Sequence, residues 1–232
     1  MKIAVISGTS KGIGKFTAEH FLENGFEVFG CSRGEGTIDH EFYHHEQLDL
    51  QDERAVIAWV RSIKKSAGRV DVLFCNAGYA PAQFLATITS GKVLNDTLET
   101  NVFGTFVLCR EVCKIMMKQN SGRIINVSSM AQGLHLEGTS AYAVSKAAIV
   151  EFTKILAKEM AKFNVTCNVI APSMYMTEGV EALQQNVIDR ALDSLTIKRT
   201  LKKEELLHAI DFFIDDNASA ITGQVIYFGL VN

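Results

Sequence analysis

Tyr142 and Lys146 stand four residues apart in Ser140-Ala-Tyr-Ala-Val-Ser-Lys146. If that segment is helical, both side chains project from one face. A free phenol titrates near ~10, too high for a base at neutral pH. An ammonium at ~4 Å, in a medium of effective dielectric ~20, favours the phenolate by up to ~4 kcal/mol. Such a pair suits proton exchange with a carbonyl or an alcohol. Alone, Tyr-x-x-x-Lys is a weak signal, and it fits equally a packed ring beside a solvated lysine. The preceding run Ile125-Asn-Val-Ser128-Ser129 strengthens it. That run delivers hydroxyls to the carboxyl end of a strand, where open α/β sheets bind ligands.

A second constellation lies at the start of the chain. Ile3-Ala-Val-Ile-Ser7 is followed by Gly8-Thr9-Ser10-Lys11-Gly12-Ile13-Gly14 and then by a helical pattern. Glycines between a first strand and a first helix let the backbone approach a phosphate, and the free N–H groups of the helix start point at it. The spacing is G-x-x-x-G-x-G; its place between strand and helix carries the signal. The second strand candidate ends in Ser32 and Arg33, with no carboxylate before Glu35. An acidic residue there would accept from the ribose 2′-hydroxyl of NAD, whereas arginine pairs with the 2′-phosphate of NADP. Lys11 adds a second cation, so the reading is NADP(H). Two solvated surface charges are the plainer alternative.

These groups need a scaffold. Strand candidates are Ile3–Ser7, Glu27–Cys31, Val72–Cys75, Arg123–Ser128, Thr166–Ile170 and Val225–Phe228, each nearly continuous in apolar residues, as strands buried on both faces are. Helix candidates are Ile13–Glu23, Glu53–Ala67, Ser90–Lys118, Ala141–Phe163 and Lys203–Ile214. The alternation predicts one α/β domain over residues 1–232 with a doubly wound parallel sheet and helices on both faces. The less periodic stretch 177–200 reads as a substrate lid or a variable connection.

Composition narrows the function. The chain has 232 residues, 47% apolar and 21% charged, with Lys+Arg 23 against Asp+Glu 26. A net charge of −3 gives no global pull on nucleic acid. The longest uncharged run, Val72 to Gly91, is broken by Asn76, Pro81, Gln83, Thr87 and Ser90 and does not read as a membrane span. With no signal-peptide pattern at the N-terminus and five cysteines lacking a C-x-x-C pair, the expectation is a soluble, cytoplasmic protein. Cys31, Cys75 and Cys167 read as core residues, as do Cys109 and Cys113 on one helix face. Trp59 reads as a packing residue. His40, His44 and His45 among Asp39, Glu41 and Glu46 read as an exposed polar loop rather than a metal site. Lys202-Lys203-Glu204-Glu205 reads as a solvated helix start.

Together the residues resemble the short-chain dehydrogenase/reductase family over nearly the whole chain. The matching motifs are Gly8 to Gly14, Asp49-Leu50, Asn76-Ala77-Gly78, Asn101, Ser129, Tyr142-x-x-x-Lys146, and Pro172 with Thr177 five residues on. Ser129 stands thirteen residues before Tyr142, as in that family. The resemblance implies a Rossmann-like sheet of about seven strands, a nicotinamide cofactor and hydride transfer. It implies Tyr142 as acid/base and Lys146 as the group that lowers its pKa and binds the nicotinamide ribose. Ser129 would hydrogen-bond the substrate oxygen, and Asn101 would hold a water of a proton relay. Asn76, Ala77 and Gly78 would pack beside the cofactor, Asp49 and Leu50 would border the adenine, and Thr177 and the backbone near Tyr175 would meet the carboxamide. Ser128 falls one residue out of step.

The chain departs from the family at Pro172-Ser173, where Pro-Gly is usual, at Cys75-Asn76-Ala77-Gly78, where Asn-Asn-Ala-Gly is usual, and in the tail Ile226 to Asn232, which lacks Asp-Gly-Gly. The expected substrate is a carbonyl or secondary alcohol, first a 3-oxoacyl thioester on a carrier. Assembly as a homotetramer or dimer through 90–118 and 141–163 is carried by the resemblance alone. A nucleotide-binding sensor or scaffold without turnover is the second hypothesis, opposed by the intact Asn101, Ser129, Tyr142 and Lys146 set. A nucleic-acid binder of the same fold is the third, with no basic patch behind it.

Overall fold

The computed structural model describes residues 1–176, 180 and 185–231, apart from the side chains of 186 and 187. Seven strands form one parallel sheet in the order β3-β2-β1-β4-β5-β6-β7. They are β1 (Lys2–Ser7), β2 (Phe26–Ser32), β3 (Tyr43–Gln47), β4 (Val72–Cys75), β5 (Gly122–Val127), β6 (Val165–Ala171) and β7 (Val225–Tyr227). β4, β6 and most of β1, β2 and β5 are buried on both faces, which is why they read as apolar runs rather than alternating ones.

The helices cover both faces. α1 (Gly12–Glu23) and α8 (Lys203–Ile214) place Phe16, Phe21, Leu206, Ile210 and Phe213 on one side of the sheet. α2 (Glu53–Ala67), α4 (Gly104–Gln119) and α6 (Ser140–Met160) pack Trp59, Ile63, Leu108, Met116 and Leu156 on the other. The remaining helices are α3 (Gly91–Leu98), α5 (Ala131–Leu134) and α7 (Gln185–Asp193), the last within the stretch read as a lid. Local chemistry sets several boundaries. The Asp52 carboxylate accepts from the Ala55 N–H at 3.0 Å to open α2, and Gly68 closes it in the left-handed region. The Glu205 carboxylate accepts from the Lys202 N–H at 2.9 Å to open α8.

Two elements differ from the sequence reading. The polar stretch around the histidines is not all loop: Tyr43–Gln47 forms the edge strand β3, paired with β2 from Val28↔Tyr43 to Ser32↔Gln47. An edge strand with only Tyr43 buried carries no apolar run to read. The predicted helix 90–118 is interrupted by a π-helical turn, Glu99–Phe103, between α3 and α4. Such turns often mark functional sites, and this one carries Asn101. All five cysteines are free and buried, and Trp59 is buried on α2, as expected.

The strand order reverses between β1 and β4. Ser7 is level with both Cys31 and Cys75, so the loops after β1, β2 and β4 emerge together at one edge. That edge is where a doubly wound sheet opens a crevice.

Candidate active site

The glycine turn and the neighbouring loops line a cleft of about 310 Å³. Gly8, Ser10, Lys11, Ser32, Arg33, Asp49, Leu50, Asn76, Ala77 and Gly78 all face it, joined by Cys31, Gly34, Leu48 and Thr100. Gly12, Ile13 and Gly14 form the first turn of α1 just behind. The turn is tied down from both sides. The N–H groups of Gly8 and Thr9 donate to the Cys31 carbonyl at 2.7 and 3.2 Å. The Asn76 amide donates to the carbonyls of Ser7 and Gly8, both at 3.3 Å, and the Ser7 hydroxyl accepts from the backbone N–H of Asn76 and of Ala77, each at 3.1 Å. Gly14 has no room for a side chain: a Cβ there would stand 2.2 Å from the Gly8 oxygen and 2.5 Å from Asn76 Nδ2.

Tyr142, Lys146, Asn101 and the two serines meet beside this cleft. Lys146, in α6, is buried to 4% exposure and donates to the Val127 carbonyl at 2.9 Å. Its Nζ is 5.7 Å from the centroid of the Tyr142 ring. A Cβ on Gly78 would lie 3.3 Å from Lys146 Nζ and 3.4 Å from Asn101 Oδ1, so lysine, asparagine and the wall of the first cleft converge at one glycine. Asn101 Oδ1 accepts from the Tyr79 N–H at 2.6 Å, while its Nδ2 donates to the Tyr79 carbonyl and to the Ser145 hydroxyl, both at 2.9 Å. Ser145 in turn donates to the Tyr142 carbonyl at 2.7 Å. The π turn is thereby bonded to the helix that carries Tyr142 and Lys146.

The two serines separate. Ser128 is buried and donates to the Lys146 carbonyl at 2.9 Å, a structural role. Ser129 accepts from the Ala131 N–H at 3.2 Å, and its hydroxyl lies beside the Tyr142 phenol. Burial pushes the Tyr142 phenol above its ordinary value, and Ser129 pulls it partly back. Burial also pulls the Lys146 ammonium down to about 8.

Tyr142 also lines a second cleft of about 150 Å³, with Ala80, Pro81, Gln83, Val93, Leu134, Leu136, Met174 and Ala191, and with no charged side chain among the described lining residues. Pro172, after β6, gives its carbonyl to the Met130 N–H at 3.0 Å. The Tyr175 ring meets Phe16 edge-on at 5.3 Å. Thr177 lies outside the described residues. Sequence reasoning missed Thr9 and Ser145, both fully buried, and Tyr43, whose hydroxyl lies 2.8 Å from that of Thr9. Ser145 had a readable signal, one helical turn after Tyr142; Tyr43 had none.

The short chain dehydrogenase family model matches residues 2–187. The chain belongs to that family of oxidoreductases. The 3-oxoacyl-(acyl-carrier-protein) reductase FabG of Salmonella typhimurium is 32% identical over 97% of this chain and 95% of its own length, and FabG of Escherichia coli K12 is 31% identical over the same shares. Among solved structures, ElxO with NADP bound superposes with a TM-score of 0.90 at 28% identity, covering 97% of this chain and 96% of that one. A variant of actinorhodin polyketide ketoreductase with NADPH superposes with a TM-score of 0.86 at 25% identity, covering 97% and 95%. This short-chain dehydrogenase therefore shares its fold with its relatives almost end to end. Among its described residues no His, Cys, Asp or Glu cluster could hold a metal ion, and no helix is long and apolar enough to cross a membrane.

Proposed function

We propose that this short-chain dehydrogenase is an NADP(H)-dependent carbonyl reductase, with Tyr142 as the acid/base, Ser129 as the partner of the substrate oxygen and Lys146 as the charge beside them. When bound, the reduced nicotinamide supplies the hydride. The chain's own residues do the rest. The glycine turn offers backbone N–H groups and a side-chain-free approach to the phosphates at the start of α1. Arg33 is exposed and makes no ion pair among the described residues, so its guanidinium is available to a 2′-phosphate. NADP or NADPH is also the cofactor in the two structural relatives named above.

The observation that carries the reading is the burial of Lys146 between Gly78, which lines the first cleft, and Tyr142, which lines the second. An ammonium is almost never fully buried without a reason, and strongly shifted groups in a cleft cluster at functional sites. A phenol held above its ordinary value is protonated at neutral pH, which is the form needed to donate to the oxygen of a carbonyl being reduced. Ser129, beside that phenol, places a second donor at the same oxygen.

The uncharged second cleft suits an acyl chain more than a carboxylate or a sugar phosphate. With FabG as a relative, a 3-oxoacyl thioester on a carrier is the substrate class proposed. Exposed apolar side chains on α4 and α6, Phe106 and Met117 on one and Ile155 on the other, favour assembly of the chain with copies of itself through these helices.

The test is consumption of NADPH and of NADH by the purified protein with 3-oxoacyl thioesters of graded length. Faster turnover with NADPH, reversed toward NADH in Arg33→Asp, is expected. Equal rates with both cofactors would remove the role given to Arg33, and no turnover with any thioester or simple ketone would remove the reductase reading.

A further inference from the structure

β3 presents three polar side chains on one face, Tyr43, His45 and Gln47, because alternate residues of a strand point the same way. Each of them reaches the loops of the cofactor cleft. The Gln47 amide donates to the Arg33 carbonyl at 3.0 Å. His45 Nε2 lies 3.0 Å from the Gly34 carbonyl and 3.3 Å from the Ser32 hydroxyl. A carbonyl can only accept, so Nε2 carries the proton that joins the ring to Gly34. The other ring nitrogen, Nδ1, lies 2.8 Å from the Tyr43 hydroxyl, whose oxygen is also 2.8 Å from that of Thr9 in the glycine turn.

The segment Arg33 to Thr37 is held by these side chains and by little else. It follows β2 directly, and all five of its residues are exposed. Its carbonyls at 33 and 34 are taken by Gln47 and by His45 with Ser32. The His45 ring lies flush under Gly36, where an added Cβ would come within 2.9 Å of Cγ. The Thr37 hydroxyl donates to the Ser10 carbonyl at 3.0 Å, which ties the far end to the glycine turn. A loop rich in glycine and bearing an exposed arginine would otherwise sample many conformations. Fixing it before the ligand arrives removes an ordering cost from binding.

We propose that His45 is a positioning residue for recognition of the adenosine 2′-phosphate: it holds the Arg33 to Thr37 segment, and with it Arg33 and Ser32, in the conformation that meets that phosphate. This rests on the NADP(H) reading of the cleft. It assigns a task to the one histidine of the polar stretch that is joined to the glycine turn. His44, on the opposite face of β3, pairs instead with Glu27 at 2.8 Å.

The role predicts an effect on one cofactor and not the other. NADH lacks the 2′-phosphate, so loosening the segment costs it little. Dissociation constants for NADPH and NADH are measured by fluorescence titration of the full chain, without any carbonyl substrate. His45→Phe keeps a ring over Gly36 but loses the bond to Gly34; it is expected to weaken NADPH about tenfold and to change NADH by less than twofold. His45→Gln restores a donor toward Gly34 and is expected to recover most of the NADPH affinity. Gln47→Ala, at an exposed position, is expected to act in the same direction with a smaller effect, and it decides the matter if His45→Phe does not fold. Equal weakening of both cofactors, or none of either, would overturn the proposal. Arg33→Ala separates the two readings. If Arg33→Ala weakens NADPH while the β3 variants do nothing, only the His45 role fails. If Arg33→Ala leaves NADPH unchanged, the reading of the cleft fails and this role with it.

Discussion

The ammonium of Lys146 points at the Val127 carbonyl, 2.9 Å away, and stands 5.7 Å from the centre of the Tyr142 ring. The lysine and tyrosine share a helix face as their spacing requires, yet the charge is spent first on the end of β5. The two groups titrate in opposite directions for the same reason, since burial disfavours the charged form of each.

That burial has a measurable cost. Lys146 falls from 10.5 to about 8 on folding, which at 1.36 kcal/mol per unit is roughly 3 kcal/mol. The unfolded chain binds the proton more tightly, so stability rises with pH between about 8 and 10.5, and the penalty is fully present below that window. Lys146→Met removes the penalty and loses one hydrogen bond worth about 1 kcal/mol. Urea denaturation at pH 7 should find the variant more stable by about 2 kcal/mol, with the advantage gone by pH 10. A variant less stable at pH 7, or a gap independent of pH, would show that the ammonium is not penalised.

Gly14→Ala brings a carbon to within 2.2 Å of the Gly8 oxygen. A backbone atom cannot step aside cheaply, so the turn must deform. The variant should lose about 2–3 kcal/mol of stability and most of its NADPH affinity. Gly91→Ala is the control: nothing lies within 4 Å of its added carbon, and a helix favours alanine, so stability should hold or rise slightly. A Gly14→Ala protein that binds NADPH normally would contradict the cradle.

Asn101→Ala removes both partners of the Tyr79 backbone and the donor to Ser145. Leaving buried polar groups unpaired should cost about 2–4 kcal/mol, read as a lower urea midpoint with an unchanged slope. Stability within experimental error of the parent would mean that the π turn is not held by this side chain.

The site was legible where chemistry rests on spacing along one element. The Tyr142 to Lys146 interval, Ser129 at the end of β5 and the glycines after β1 needed no tertiary information. The strands buried on both faces were legible as apolar runs. What stayed hidden depends on neighbours in space. β3 has one strand beside it and water on much of its surface, so Tyr43–Gln47 shows no hydrophobic pattern. The π turn at Glu99–Phe103 shifts the helix by one residue, and a 3.6-residue period over 90–118 averages across it. The direction of the Lys146 side chain is set by a carbonyl 19 residues away, which no local pattern reports.

The central claim is that Tyr142 moves the proton. Its most direct test is the rate of NADPH oxidation by Tyr142→Phe with a saturating 3-oxoacyl thioester, alongside a titration of NADPH binding. The account predicts binding within twofold of the parent and turnover lower by about 10²-fold or more. A phenylalanine variant that turns over within a few fold of the parent would contradict it.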